Sequence, residues 1–373
     1  MNGFYWIYVV MLAFLLGYEY APDREHKRLI YWGVCGFLIL IFAVQNFSVG
    51  YDMGEYMLQW DIIPTLTFRE MLTHKFEIGY VLLCWLLQRL ALSERVLLMV
   101  LAVMILLPYG CSFEKETENP MAALMAFVAL GMYLHALIFW RQFVAMAILT
   151  FSYRFIRERK MIPFLVTVAL AMAFHKVAVV FVGLYVLYRL PVNKWLLLGA
   201  AVCMAALWAL GGQIIELGIR YLYPRYTREA RTVIGGGTLL AALWAVVLLS
   251  YWLLGDRMEE GKIRLPFFMI LIGAVIQPIC FAYYNFYRVE VFFRVALAPM
   301  TAQLYDALFC RKEGNRALAL LERFTPRLHG AVLRVYDRKW FRTLGLLILF
   351  GVLFVWYASE LDDLVYIMAP IGR

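Results

Sequence analysis

The chain has 373 residues, of which 64% are hydrophobic and only 16% are charged. A soluble domain could not keep so little polar surface in water, whereas apolar runs of about 20 residues cross a bilayer as helices. The net charge of +9 does not indicate nucleic-acid binding, because eight of the 35 basic residues lie in one segment, 310–340, without a recognition motif. These values predict a polytopic membrane protein that contacts the lipid bilayer and no nucleic acid.

Apolar stretches follow one another along the whole chain, separated by short polar segments. They predict a single integral membrane domain, 1–373, an all-α transmembrane bundle of about 12–14 hydrophobic helices, some short or re-entrant and GT-C-like in arrangement. The candidate spans are 3–20, 30–48, 76–92, 96–110, 121–139, 143–156, 162–174, 177–188, 196–212, 237–255, 265–283, 289–309 and 341–360.

Basic loops set the expected orientation, because lysine and arginine are retained on the cytoplasmic side. The segments 21–29, 157–161, 189–194, 256–264 and 310–340 are basic and are assigned to the cytoplasm. The segments 49–75, 213–236 and 283–288 then lie outside. The extracytoplasmic loop 213–236 is rich in arginine and tyrosine, which suits phosphate and sugar binding. An amphipathic helix anchored at the headgroups is the alternative interpretation of that loop.

Two places resist a simple count of spans. The run 162–188 has basic residues at both ends, which predicts a turn near Phe174-His175-Lys176 at membrane depth. Between the outer loop 49–75 and Arg141, three apolar stretches occur where an even number of crossings is needed. One of 76–92, 96–110 and 121–139 is therefore expected to be re-entrant or to lie on the surface, and the sequence does not indicate which.

Short polar islands interrupt the apolar chain and can all be placed near one membrane face. They are Tyr51 to Tyr56, Trp140-Arg141-Gln142, Phe174-His175-Lys176 and Tyr287-Arg288. Ionisable side chains at membrane depth cost about 2.5–3.5 kcal/mol each on insertion scales, so they persist where a function needs them. The islands therefore predict one functional site.

Five motifs occur in a fixed order along residues 50–295. They are Asp52 with Tyr56, Glu77-Ile78-Gly79-Tyr80, Arg141-Gln142-Phe143-Val144-Ala145, Ala171 to His175, and Arg288 with Phe292-Phe293. The order resembles the EpsG family of exopolysaccharide and O-antigen repeat-unit polymerases, the Wzy type. Four positions depart from the family pattern: Ile78 replaces a proline, Lys176-Val177 replaces two serines, and Phe292 replaces a tyrosine.

The resemblance implies transfer of a growing glycan from undecaprenyl pyrophosphate to a sugar hydroxyl on a second lipid-linked repeat unit. It implies the bacterial cytoplasmic membrane, an active site facing outside, and a chain-length regulator and a flippase as partners. Fixed cations would stabilise the leaving pyrophosphate, and a base would activate the hydroxyl. The candidate bases are His175, Asp52 and Glu77. The candidate residues for pyrophosphate and substrate binding are Arg141, Arg288, Gln142, Arg220, Arg225, Arg228 and Tyr56.

Each residue also has a structural interpretation. Arg141 could be an interfacial anchor, Arg288 could pair with Glu290, His175 could bond backbone carbonyls at a turn, and Glu77 could cap a helix. At the level of function, a lipid-linked glycan ligase or another polyprenyl-phosphate-dependent glycosyltransferase, a glycan flippase or transporter, and an acyltransferase remain as alternatives. No metal-binding or nucleotide-binding motif occurs, so we expect neither a metal site nor a cofactor.

Overall fold

The computed structural model describes residues 5–45, 52–222, 237–282 and 286–368. It is 85% helical, and these residues contain no strand. The all-α membrane bundle predicted from the composition is therefore confirmed. Six helices are long and apolar enough to cross a membrane alone, and a bent helix pair supplies a seventh candidate. The remaining apolar stretches form shorter helices.

The helices are numbered in chain order. They are α1 (Tyr5–Tyr20), α2 (Arg24–Val44), α3 (Met53–Ile62), α4 (Phe68–Leu72), α5 (Ile78–Arg89), α6 (Glu94–Glu116), α7 (Pro120–Ala129), α8 (Met132–Ile138), α9 (Trp140–Leu149), α10 (Tyr153–Arg157), α11 (Met161–Met172), α12 (Phe181–Leu187), α13 (Lys194–Leu222), α14 (Gly237–Leu254), α15 (Gly261–Ala282), α16 (Tyr287–Arg294), α17 (Leu297–Tyr305), α18 (Arg316–Phe324), α19 (Pro326–Val335) and α20 (Lys339–Met368). By their contacts they form two compact units, Met1–Val179 with Thr301–Arg373, and Val180–Met300. The expectation of one membrane domain stays a prediction.

Unit 1, which comprises Met1–Val179 and Thr301–Arg373, has two distinct ends, defined by contacts between helix termini. At one end, Arg28 in the first turns of α2 bonds Glu114 near the end of α6 at 2.8 Å. Arg157 at the end of α10 bonds Glu116 twice, at 2.5 and 2.7 Å. At the other end, the Arg95 side chain at the start of α6 bonds the Gln45 carbonyl just after α2 at 2.6 Å. Helices α2 and α6 are therefore antiparallel, with a basic end marked by Arg28 and Arg157 and a far end marked by Arg95.

Helices α9 and α10 form one nearly continuous run that connects these two ends. A short 3₁₀ turn, Thr150–Ser152, joins them. The 18 residues from Trp140 to Arg157 span about 27 Å at 1.5 Å per residue. With Arg157 fixed at the basic end, the first turn of α9 lies at the far end. Helix α11 packs against α9, ends at Met172, and is followed by the turn predicted around Phe174.

The contacts of α5 indicate which of the three apolar stretches 76–92, 96–110 and 121–139 does not cross. Its first residues follow Glu77, which is bonded to Arg141 at the far end. Near its last turn, Gln88 donates to the carbonyl of Trp60 on α3 at 2.6 Å, and α3 in turn stacks on Trp140. Both termini of this 12-residue helix therefore lie on the same side. The stretch 76–92 is the one that does not cross, while α6 and the α7–α8 pair connect the two ends.

Helices α7 and α8 together form a broken crossing. They meet at an angle of 61° around Gly131, whose φ of +74° is a left-handed conformation that favours glycine. At its start, α7 is capped by Asn119, which also bonds Glu19 at 2.6 Å, and α8 ends just before Trp140. Every residue from Met121 to Ile138 is buried. Irregular backbone at membrane depth requires such enclosure.

In unit 2, which comprises Val180–Met300, α15 is the central helix and packs against α12, α13, α14 and α16. Near its start, Arg264 donates to the carbonyls of Tyr188 and Leu190 and to the carboxylate of Glu259. The basic loops 189–194 and 256–264 therefore meet at one end of this unit. Helix α13 continues to Leu222, so the first part of the predicted loop 213–236 is helical.

The basic segment 310–340 contains more structure than the sequence predicted. A π-helical turn, Asp306–Cys310, ends the preceding helix, and α18 and α19 follow and pack against each other. Both are amphipathic, and each carries arginines together with exposed apolar side chains such as Phe324 and Leu328. This pattern is typical of helices that lie in the membrane interface.

Candidate functional site

The carboxylate of Glu77 joins two other segments of unit 1 at its far end. Arg141 Nη1, in the first turn of α9, donates to Oε2. The other oxygen, Oε1, lies 3.3 Å from His175 Nδ1 and accepts from the backbone N–H of Lys176 at 3.2 Å. We call Glu77, Arg141 and His175 the Glu77 cluster. It unites three of the residues that the sequence singled out. Arg141 lies 64 residues after Glu77 in the chain, and His175 lies 98 residues after it.

Gly79 allows the turn that carries His175 to approach the start of α5. Its backbone N–H donates to the carbonyl of Ala173 at 2.6 Å. A Cβ at this position would lie 2.6 Å from that oxygen and 3.0 Å from a ring carbon of Phe174. Only glycine fits such a close approach between two backbones. The Glu-x-Gly motif therefore combines the bridging carboxylate with the contact that brings the histidine to it.

Four aromatic rings pack together beside Arg141, and we call them the aromatic bed: Tyr56, Phe76, Tyr80 and Trp140. Trp140 and Tyr56 are stacked at 4.5 Å with an angle of 11° between the ring planes. The Arg141 guanidinium lies 3.9 Å from the ring centre of Phe76, and Tyr80 packs against both Phe76 and Tyr56 at 5.6 Å. A cation over an aromatic face is attracted to it, and the rings exclude water. The bed fixes the guanidinium in place and strengthens its electrostatic effect.

The Glu77 cluster is nearly but not completely enclosed. The side chains of Glu77, Arg141 and His175 are 13%, 14% and 8% exposed. Burial by itself would raise the pKa of Glu77. The hydrogen bond from His175 and the charge of Arg141 outweigh burial and lower the pKa of Glu77 to about 2. Glu77 therefore stays ionised at neutral pH, and its suggested role as a base stays a prediction.

A second polar network borders the Glu77 cluster and was not predicted. Glu55 accepts from Lys75 at 2.5 Å and from Gln59 at 2.9 Å, and Gln59 Oε1 lies 2.8 Å from His74 Nε2. Since His74 Nδ1 accepts from the Phe76 backbone N–H at 3.0 Å, Nε2 carries the proton and donates to Gln59. Burial, followed by the charges of Lys75 and Arg141, lowers the pKa of His74 and keeps it neutral.

The remaining predicted residues of unit 1 lie beside this arrangement. Asp52 precedes α3 and is half-buried, and its carbonyl accepts from the N–H of Tyr56 at 3.0 Å. Gln142 is 4% exposed and its amide contacts Met146 one turn further along α9. Tyr56 is buried in the aromatic bed, 5.8 Å from the Arg141 guanidinium. The site roles suggested for these three residues stay predictions.

The other predicted arginines belong to unit 2 or lie outside the described residues. Arg288 is half-buried in the first turn of α16. Arg220 lies in the last turn of α13, and nothing is described of its side chain. Arg225 and Arg228 are outside the described residues. The substrate-binding roles of these four arginines stay predictions.

Unit 2 contains a buried ion pair that the sequence analysis missed. Glu290 and Arg294, one turn apart on α16, are 0% and 1% exposed, and Arg294 Nε lies 3.1 Å from Glu290 Oε2. Arg294 also donates to the hydroxyl of Tyr287 at 2.6 Å. The sequence had suggested Arg288 as the partner of Glu290. The spacing of four residues in an apolar helix was the available signal for Arg294.

Metal-binding geometry does not occur in the described parts of the chain. Among those residues, no three or more His, Cys, Asp or Glu side chains are grouped so that they could hold a metal ion. The Glu77 cluster itself offers one carboxylate and one imidazole, both engaged with a guanidinium or with each other. These side chains can supply fixed charge and a proton acceptor.

Fold and site together define a polytopic helical membrane protein with a guanidinium–carboxylate–imidazole cluster at the end of unit 1 opposite Arg28 and Arg157. The model of the EpsG family matches residues 28–320, and the chain belongs to that family. The resemblance inferred from the motifs is thereby confirmed. Membership indicates a polymerase-type enzyme of polysaccharide biosynthesis. No curated protein and no solved structure matches the chain.

Proposed function

We propose that the protein polymerises oligosaccharide repeat units carried on undecaprenyl pyrophosphate, at the outer face of the bacterial cytoplasmic membrane. The observation that supports this most directly is the Glu77 carboxylate, which holds a fixed guanidinium and an imidazole side by side, with all three side chains largely buried. Family membership supplies the class of reaction.

In the proposed reaction, a sugar hydroxyl of the acceptor unit attacks the anomeric carbon of the donor glycan. A new glycosidic C–O bond forms, the bond from that carbon to the pyrophosphate oxygen breaks, and polyprenyl pyrophosphate leaves. The glycosyl–phosphate bond supplies the energy, so no nucleotide is consumed. Negative charge grows on the pyrophosphate during this step, and a preorganised cation in a water-poor site stabilises it. Arg141, held over Phe76, supplies that charge.

His175 is the proposed general base. Its Nδ1 faces Glu77, so Nε2 is the nitrogen that would take the proton of the attacking hydroxyl. A carboxylate next to the first nitrogen fixes the ring and stabilises the imidazolium that forms, as in hydrolytic triads. We assign Glu77 as a positioning residue for both partners, because a carboxylate with so low a pKa is a weak base. Asp52 remains the alternative base.

The charge rule gives the proposed orientation. The basic end of unit 1 carries Arg28, Arg157 and Lys160, and retention of basic residues in the cytoplasm favours that end as the inner one. The Glu77 cluster, at the far end, then faces outward, where lipid-linked units become available. A flippase that supplies these units and a chain-length regulator are the proposed protein partners.

Reconstitution tests the proposal and separates it from the alternatives. Purified protein in liposomes is incubated with a defined lipid-linked repeat unit, and the products are separated by size. We expect a ladder for the wild type, single units only for Arg141→Ala, and a normal ladder for Arg69→Ala, an exposed arginine of α4. A single transfer without a ladder would indicate a ligase, and translocation without any new bond would indicate a flippase. A normal ladder from Arg141→Ala would refute the role of that residue.

A further inference from the structure

A second cleft lies at the opposite end of unit 1 from the Glu77 cluster. It has a volume of about 260 Å³ and opens between the last turns of α6 and the run from Thr150 to α10. Its wall is mainly apolar and includes Pro108, Phe151 and Phe155, and its mouth carries Lys115 and Arg154. Ligand pockets for drug-sized molecules span roughly 300–1,000 Å³. The cleft therefore suits a smaller group, such as a lipid headgroup and the start of its chains.

The cations that line the cleft differ in whether a carboxylate neutralises them. Arg157, which also lines the cleft, is bonded twice by Glu116, so this pair is neutral and forms a fixed wall. Lys115 and Arg154 are exposed, and the Arg154 guanidinium lies 4.5 Å from the ring centre of Phe155, which holds it flat against the apolar surface. The mouth of the cleft thus has a net positive charge directly above apolar side chains.

The position of the cleft determines what can reach it. It lies at the basic end, beside the ion pairs that mark one terminus of the crossing helices. Phe151 is 58% exposed on the run α9–α10, which connects the two ends of unit 1, so the apolar part of the cleft opens sideways, where lipid would surround the unit. A water-soluble anion would use only the charged mouth, whereas a lipid would use both parts. Basic pockets between membrane helices on this side favour anionic headgroups.

We infer that this cleft binds the phosphate headgroup of an anionic phospholipid, with Lys115 and Arg154 contacting the phosphate and Phe151 and Phe155 contacting the first part of the acyl chains. The site is separate from the Glu77 cluster, because it lies at the basic end of unit 1, and α6 and the run α9–α10 extend from there to the far end where the cluster lies. It does not depend on the polymerase reaction.

Photo-crosslinking to the full-length protein tests this inference. A phosphatidylglycerol analogue with a photoreactive group near its headgroup is incorporated into phosphatidylcholine liposomes that contain the protein, and crosslinked peptides are identified by mass spectrometry. We expect adducts in 108–115 and 151–155, competed by unlabelled phosphatidylglycerol but not by phosphatidylcholine. In the double variant Lys115→Gln with Arg154→Gln, each cation removed should raise the concentration of the phosphatidylglycerol analogue needed for the same labelling by about fivefold. The matched double variant Arg159→Gln with Lys160→Gln, at exposed basic residues of the same end, should label normally.

Two results would overturn the inference. Equal labelling of the cleft variant and the wild type would show that Lys115 and Arg154 do not hold the headgroup. Competition of the wild-type adducts by inorganic phosphate in the millimolar range would show that the ligand is a free anion instead of a lipid. Because the readout is crosslinking, neither result depends on whether the protein polymerises glycans.

Discussion

Replacing Gly79 with alanine should weaken catalysis more than it weakens the fold. The new Cβ would lie 2.6 Å from the carbonyl oxygen of Ala173, a backbone atom that no rotamer change can move away. To reach an ordinary contact of 3.4 Å, the turn that carries His175 must retreat by about 0.8 Å. That retreat also lengthens the hydrogen bond from the Gly79 N–H, which is 2.6 Å in the structure.

The expected magnitudes follow from these distances. Overpacking of this kind costs about 1–3 kcal/mol of stability. A displacement of a catalytic group by about 1 Å can reduce the rate by about 100-fold. Since His175 is separated from Glu77 Oε1 by only 3.3 Å, a shift of the turn removes the contact that orients the base. We therefore expect a rate of ladder formation lower by about two orders of magnitude in protein that still folds.

The assay compares initial rates in liposomes and unfolding midpoints in detergent for Gly79→Ala and a matched control. The control is Gly33→Ala in α2, where an added Cβ meets nothing within 4 Å. Alanine there should leave the rate unchanged and raise helix stability by up to about 1 kcal/mol. A Gly79→Ala protein with the wild-type rate would refute the reasoning, because the turn would then have moved without any effect on the chemistry.

Two further predictions concern stability. Because the pKa of Glu77 is lowered from 4.5 to about 2, its contribution is fully present above 4.5 and is lost as the pH falls toward 2. The difference in unfolding midpoint between the wild type and Glu77→Gln should therefore be constant from pH 5 to 8 and shrink below it; a difference that disappears between pH 5 and 7 would contradict this. Replacing Arg294 with methionine leaves Glu290 buried without its ionic partner and should cost about 3–5 kcal/mol in denaturant unfolding. Adding Glu290→Gln should recover much of that loss, and no recovery would mean that the pair is not the cause.

Hydropathy and charge predicted the class of fold, because lipid leaves helices as the only structure for such apolar runs. They could not show which run fails to cross. The 12-residue helix α5 is as apolar as a short span, and only its contacts through Glu77 and Gln88 reveal that both its ends lie on one side. Hydropathy measures the solvent that a segment prefers and carries no information on where its ends meet other segments.

The candidate site was predictable to the extent that motifs name residues. Glu77, Arg141 and His175 were all singled out, and the structure brings them together. The separate role proposed for each residue was not predictable, because the low pKa of Glu77 depends on its distances to Arg141 and His175, which lie far away in the chain. Lys75 and His74 were overlooked because they lie in an ordinary polar loop. Arg294 was overlooked because Arg288 matched the motif better.

The break at Gly131 has a consequence for biogenesis. Helix α7 packs against α1, α6 and α20, and α20 is synthesised long after the other two. Until α20 arrives, one flank of a kinked segment must tolerate contact with lipid, although His135 Nδ1 already bonds the carbonyl of Gly131 at 2.7 Å. That hydrogen bond stabilises the bend at Gly131 during the time when α20 has not yet been synthesised.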